Sequence, residues 1–234
     1  MIKPYSKEAD FSYTEGFFPT FELIKHHPET LRCIYADGNA EDSAGLKKLV
    51  SLVGPDKVIV SPSAFRRLAS KENDHVIGVF GKYQDKLDPL RPHVVLVNPS
   101  DQGNLGNIMR SMLAFSFKDL AIILPAADRF NPKTVRASMG AFFSIRQETF
   151  DSFGSYQKKY SRPYYPFMLD GAKKLSELKK PEAPYALVFG NEATGLPKEF
   201  ANGQAVFIEQ SDEVDSLNLS TAVVVALYTL SEHK

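Results

Sequence analysis

Two kinds of hydrophobic pattern divide the chain. Up to about Tyr83, short apolar runs alternate with amphipathic ones: Leu31–Ala36, Lys57–Val60 and Val76–Phe80 read as strands, whereas Asp42–Val53 and Ala64–Lys71 repeat apolar positions at helical spacing. An aromatic-rich entry, Phe11 to Phe21, is expected to pack onto this small α/β unit. The polar run Gln84–Pro92, with two prolines and four charges, reads as a linker. From His93 onward the apolar runs become continuous, as in strands buried on both faces: Val94–Val97, Leu120–Leu124, Phe142–Ile145, Tyr165–Leu169, Ala186–Phe189 and Ala205–Ile208. Helical segments intervene, notably Gly106–Phe117, and an apolar helix opening at Ser216 closes the pattern. Alternating strands and helices predict a parallel sheet with helices on both faces.

Ligands of such sheets collect at the carboxyl ends of the strands, and three predicted strand ends carry unusual residues. The first loop runs Asn98-Pro99-Ser100-Asp101-Gln102-Gly103-Asn104-Leu105-Gly106, with Arg110 in the first turns of the following helix. The second is Gly190-Asn191-Glu192-Ala193-Thr194-Gly195-Leu196, and the third passes from Glu209 through Asp215 into Ser216-Leu217-Asn218-Leu219-Ser220-Thr221-Ala222. A polar start on an otherwise apolar helix suits a ligand held at the N–H-rich helix end. Ser216 as a plain N-cap, with Asn218 and Ser220 as extra turn formers, is the competing reading.

Composition narrows the function classes. The chain has 234 residues, 43% of them hydrophobic and 24% charged, as in ordinary globular proteins. One cysteine, Cys33, excludes an internal disulfide framework, and no Cys or His spacing suits a metal. The five scattered histidines read as surface residues. Equal numbers of basic and acidic residues, 28 each, argue against non-specific coating of nucleic acid but leave room for local basic patches such as Lys47-Lys48 and Arg66-Arg67. No apolar stretch predicts a membrane span, and Met1–Glu8 lacks the apolar core of a signal peptide, so a cytoplasmic location is expected. The Gly-rich loops of common nucleotide-binding α/β enzymes are missing.

Taken in order, the three loops resemble the three motifs of the SpoU/TrmH family of RNA ribose 2′-O-methyltransferases. Asn104, Gly106 and Arg110 match the first; Gly190, Asn191, Glu192, Gly195 and Leu196 match the second; Ser216 through Ala222 match the third. The likeness covers residues 93–234, a knotted methyltransferase domain by this resemblance. Residues 1–83 are similar, more loosely, to a ribosomal-protein-like α/β substrate-binding domain, with 84–92 as the linker. The resemblance implies a C-terminal trefoil knot, an S-adenosylmethionine site within it, a homodimer, and RNA (ribosomal or transfer) as substrate.

Carried over by position, Gly190, Ile208 and Leu217 are expected to cradle the cofactor through the backbone, with Phe189 and Gln210 as neighbours. Arg110 takes the central catalytic role. The family offers it as a general base, but a charged guanidinium has no lone pair, so a grip on the phosphate beside the target ribose and stabilisation of the alkoxide is preferred. Asn104 is expected to hold the loop or the substrate, Glu192 to orient Arg110 by a salt bridge, and Ser216 and Asn218 to hold the ribose or the loop over it. Helix capping is the alternative for Asn104 and Ser216. Arg136 and Ser138, in a recurring Arg136-Ala137-Ser138-Met139-Gly140-Ala141 segment, are either RNA-phosphate contacts or part of a helix end with Gly140 as its left-handed cap.

One segment departs from the resemblance. The third motif usually opens Ile-Pro-Met-x-Gly, whereas this chain reads Ile208-Glu209-Gln210-Ser211-Asp212. That difference keeps a second reading in play: a non-catalytic knotted dimer that binds RNA without methyl transfer.

Overall fold

A computed structural model describes residues 4–40, 42–69, 74–169 and 173–231. The chain forms two compact units: Met1–Tyr83 with Asp128–Ser144, and Gln84–Ala127 with Ile145–Lys234.

The first unit is built on a four-stranded sheet of β1 (Phe11–Tyr13), β2 (Leu31–Ala36), β3 (Val58–Val60) and β4 (Val76–Gly81), in the order β1-β4-β2-β3. Helices α2 (Ala44–Val53) and α3 (Pro62–Leu68) fall in the two amphipathic runs, whereas the aromatic-rich entry, to which the periodicity assigns no element, forms β1 and the start of helix α1 (Phe17–His26). Positions 70–71 of the third predicted helix lie outside the described residues. Local chemistry fixes the helix ends: Ser43 and Ser61 accept the backbone N–H groups of Leu46 and Ala64 at 3.2 and 3.3 Å, and Gly54, at φ 86°, stops α2. Tyr13, Phe65, Leu68, Ile77 and Val79 form one core of the unit.

The second unit opens with β5 (His93–Val97), α4 (Gln102–Ala114) and β6 (Asp119–Ile123). The chain then returns to the first unit, where residues 128–144 carry α5 (Pro132–Ala137) and a 3₁₀ turn, Ala141–Phe143. Phe130, Phe142 and Phe143 pack there on Phe80, with ring centroids 5.2–6.4 Å apart. The strand expected at 142–145 is therefore a buried turn, because apolar character alone does not distinguish a strand from an aromatic plug. The strand forms just beyond it as β7 (Arg146–Phe150), whose polar residues suit a sheet edge. There follow α6 (Phe153–Lys159), β8 (Tyr164–Pro166), β9 (Lys173–Lys174), β10 (Ala186–Phe189), β11 (Val206–Phe207) and α7 (Leu219–Leu230).

The five-stranded sheet is parallel throughout, in the order β7-β6-β5-β10-β8. Every residue of β5, β6 and β10 is buried, as their continuous apolar character requires. Strand order runs outward from β5 to β7 on one side and then restarts at β8 on the other, with β10 inserted between. The carboxyl ends of β5 and β10 thus flank the topological switch, where open α/β sheets leave a crevice. No described helix is long and apolar enough to cross a membrane.

Residues 84–92 do not behave as a linker. They belong to the second unit and are fastened along the amino-terminal ends of its strands. Leu87 is buried; its N–H and that of Asp88 donate to Glu148 (3.3 Å) and to Asp119 (2.7 Å), while Asp85 accepts the Gln147 N–H (3.1 Å). Asp119 is fully buried and held by a two-pronged contact from Arg146 at 2.6 and 2.7 Å. Two of the segment's charges, Asp85 and Asp88, have partners on β7, Gln147 and Arg146, which a local polarity pattern does not reveal.

His93 also departs from the expectation of a surface histidine. It is fully buried at the start of β5, with Nε2 2.8 Å from the Asp88 carbonyl and Nδ1 2.9 Å from the Tyr156 hydroxyl. Because a carbonyl only accepts, Nε2 carries the proton and Nδ1 accepts from the tyrosine. Burial, the largest influence, pushes the imidazole pKa down to about 4. The unfolded chain protonates near 6.5, so it binds the extra proton between these values and stability falls as pH drops from about 6.5 to 4, by roughly 3 kcal/mol for this group. In urea unfolding across that range, His93→Gln is expected to show a correspondingly shallower decline than the parent; identical slopes would refute the neutral buried imidazole.

Candidate functional site

The loops leaving β5 and β10 are joined by one carboxylate. Glu192 accepts the N–H and hydroxyl of Ser100 at 3.0 and 2.8 Å, the Asp101 N–H at 3.3 Å, and the Asn104 side-chain amide at 3.2 Å. Burial alone would raise its pKa, but these hydrogen bonds outweigh that effect and hold it below the ordinary carboxylate value. Glu192 is thus engaged by the loop before α4 and makes no salt bridge to Arg110, contrary to the sequence expectation. Arg110 is exposed on α4 and has no hydrogen-bond or ion-pair partner among the described residues.

The cap of α4 is Asp101, whose carboxylate accepts the Asn104 N–H at 2.7 Å. Asn104 is therefore a first-turn residue whose amide braces Glu192, rather than the cap itself. An aspartate three residues before Asn104 is the N-cap signal that could have identified this arrangement from sequence.

The loop after β10 folds back tightly. Asn191 and Gly195 exchange backbone hydrogen bonds at 2.9 and 3.3 Å, and the Asn191 amide donates to the Asn98 carbonyl at 2.8 Å. A Cβ on Gly190 would lie 2.2 Å from the Gly195 carbonyl carbon, and Gly195 itself has φ 65°, so the motif glycines answer steric requirements.

Beside this loop lies a cavity of about 380 Å³. All five residues expected at a cofactor site, Phe189, Gly190, Ile208, Gln210 and Leu217, line it, as do Glu192 and Ser216. Its wall is completed by Phe167 to Leu169 beyond β8, by Lys198, and by Leu219 and Ala222 in the first turn of α7. Phe167 and Phe189 stack with centroids 4.4 Å apart at 14°. Phe167 lay inside a run read as strand, and no local signal marked it as a wall residue.

The closing helix starts later than its polar residues suggest. Asn218 is the cap of α7, its side-chain oxygen accepting the Ser220 N–H at 2.8 Å and hydroxyl at 2.7 Å. Ser216 is not the cap; it precedes the helix and faces the cavity. Asn104, Arg110 and Asn218 do not line the cavity.

Arg136 and Ser138 belong to the packing of the first unit. Arg136 pairs with the buried Glu15 at 3.1 Å. Ser138 is fully buried; its hydroxyl donates to the Val135 carbonyl at 2.6 Å and accepts the Phe142 N–H at 3.2 Å, so it is not exposed to an RNA phosphate. Gly140 does take the left-handed conformation, φ 82°, two residues past the Ser138 that ends α5.

A parallel α/β sheet with a cavity beside the loops at the carboxyl ends of its strands is the arrangement in which open α/β domains hold small ligands. The SpoU rRNA Methylase family matches residues 91–228, more than half of the chain, and the chain belongs to that family. It is similar to the 23S rRNA (uridine(2479)-2'-O)-methyltransferase of Streptomyces viridochromogenes, with 27% identity over 88% of this chain and 77% of the relative. It is likewise similar to the 23S rRNA (guanosine(2553)-2'-O)-methyltransferase RlmP of Bacillus subtilis strain 168, with 25% identity over 74% and 71%. The SpoU methyltransferase AviRb of Streptomyces viridochromogenes, solved also in complex with AdoMet, shares the fold: TM-score 0.83, 24% identity, 94% of this chain and 88% of that one.

Because Glu192 serves four donors of the β5 loop and the Asn191 amide besides, its truncation leaves several of them unmatched. Glu192→Ala is expected to destabilise the chain by about 1–3 kcal/mol at neutral pH. The carboxylate's contribution is full above its ordinary pKa and fades as pH falls through its lowered folded value, so parent and variant should converge in acid. Urea midpoints at pH 7 and pH 3 check this; an unchanged midpoint at pH 7 would refute the bracing role.

Proposed function

We propose that this chain transfers a methyl group from S-adenosylmethionine to a ribose 2′-hydroxyl of ribosomal or transfer RNA. Membership of the family supports the reaction class. The observation that carries the assignment of the site is the convergence of the loops beyond β8, β10 and β11 on one cavity, lined by all five residues expected at the cofactor.

The residues present fit such a cofactor. A cavity of about 380 Å³ suits a ligand of this size, the stacked pair Phe167 and Phe189 offers an apolar wall to a flat base, and Gly190 lets backbone groups approach closely. Bound there, S-adenosylmethionine supplies an electrophilic methyl group on a sulfonium. The chain's own residues hold and orient: Gly190, Ile208 and Leu217 through the backbone, with Ser216 beside them facing the ligand. Asn104 and Glu192 keep the β5 and β10 loops in register, and much of the acceleration comes from such positioning.

Arg110, exposed and without a hydrogen-bond or ion-pair partner among the described residues, is available to grip an RNA phosphate and to stabilise the developing alkoxide. This role uses the guanidinium as a charged donor fork and asks no lone pair of it, which is why it is preferred to that of general base. The first unit recognises the RNA by shape and phosphate contacts, with exposed Lys47, Lys48, Arg66 and Arg67 as its basic groups. The insertion of β10 between β5 and β8 suits a C-terminal trefoil knot. Exposed Tyr228 on α7, beside Phe115 with a centroid separation of 6.0 Å, suits a homodimer contact. A cytoplasmic location follows from the substrate.

Calorimetric titration with S-adenosylmethionine and S-adenosylhomocysteine should give one saturable site per chain, abolished by Gly190→Ala; no binding of either ligand by the parent would overturn the cofactor assignment. Arg110→Ala is expected to lower the transfer rate at least about 100-fold while leaving S-adenosylhomocysteine affinity within about twofold. Unchanged transfer would remove Arg110 from the reaction.

A further inference from the structure

Ile208 and Gln210 belong to the cavity wall, yet the strand that delivers them is slight. β11 has two residues, pairs with the equally short β9, and meets the extension of β8 through a single bridge between Phe167 and Val206. The residue between the two wall positions, Glu209, does not line the cavity. Extended chain alternates its side chains, and that alternation sends Glu209 the other way. Its carboxylate lies 3.0 Å from Lys174 Nζ and also accepts the Ser176 hydroxyl. Lys174 ends β9, and Ser176 sits in the 3₁₀ turn Leu175–Glu177, anchored by the buried Leu175. The acidity of Glu209 is strengthened by Ser176 and Lys174, and the basicity of Lys174 by Glu209.

We propose that Glu209 is a positioning residue: its two-point tether to Lys174 and Ser176 holds Ile208 and Gln210 in the register that binds the ligand. The tether is half exposed, Glu209 at 43% and Lys174 at 48% of their side chains, so salt screens it. Ligand affinity in this cavity is therefore set partly by a surface ion pair and declines as ionic strength rises. The binding consequence rests on the reading of the cavity as the cofactor site; the tether itself does not.

The test compares the full chain with Glu209→Ala and with the reversed pair Lys174→Glu/Glu209→Lys, by S-adenosylhomocysteine calorimetry and by amide hydrogen exchange of residues 206–212 without ligand. Glu209→Ala is expected to raise the dissociation constant about three- to tenfold, to speed exchange at 208–210 severalfold, and to leave the melting temperature nearly unchanged. The reversed pair should recover both affinity and slow exchange. About 0.5 M salt should weaken binding by the parent and leave Glu209→Ala unaffected. Parent-like affinity and exchange in Glu209→Ala would overturn the tether, as would failure of the reversed pair to recover either. If the parent binds no ligand while exchange still rises in Glu209→Ala and recovers in the reversed pair, the tether stands and the cofactor reading falls.

Discussion

The inserted strand β10 creates a demand that the rest of the second unit answers. Two loops leave neighbouring parallel strands in the same direction, one from β5 and one from β10, although the strands are some ninety residues apart in the chain. Nothing in sheet hydrogen bonding reaches beyond the last paired residues, so the loops need their own connection. The Glu192 carboxylate supplies it with four short hydrogen bonds, and the Asn191 amide adds another to the Asn98 carbonyl. The cavity, the start of α4 and the fold-back of the glycine loop all take their positions from this junction.

Much of this was legible in the sequence, because burial on both faces leaves a strong mark. β2, β4, β5, β6 and β10 follow from runs of apolar residues with few alternatives. The five lining residues could be carried over because backbone contacts with a ligand impose glycine and a fixed order of loops. What stayed illegible depended on long-range pairing. A polar edge strand such as β7 carries no apolar run, the aromatic turn at 141–143 imitates a strand, and residues 84–92 look like a linker until Asp119 and Glu148 accept their backbone N–H groups across the fold.

The site residues divide the same way. Side chains that read as catalytic or as RNA contacts include several whose visible contacts are structural: Asn218 caps α7, Asn104 braces Glu192, and Ser138 is sealed in its own turn. Motif identity records that a position is constrained without saying by what. Arg110 is the opposite case, since no hydrogen bond or ion pair among the described residues accounts for it.

The return of residues 128–144 to the first unit has a consequence for how such a chain can be rearranged. Phe130, Phe142 and Phe143 are at most 6% exposed, and the rings they pack on, Phe80 and Tyr83, come from the first 83 residues. Cutting the chain once near residue 84 strips that aromatic plug of its partners and leaves greasy surface on a remnant. The first unit is not a cassette joined at one seam: exchanging it between proteins requires three crossovers, and recombination should disfavour hybrids that make only one.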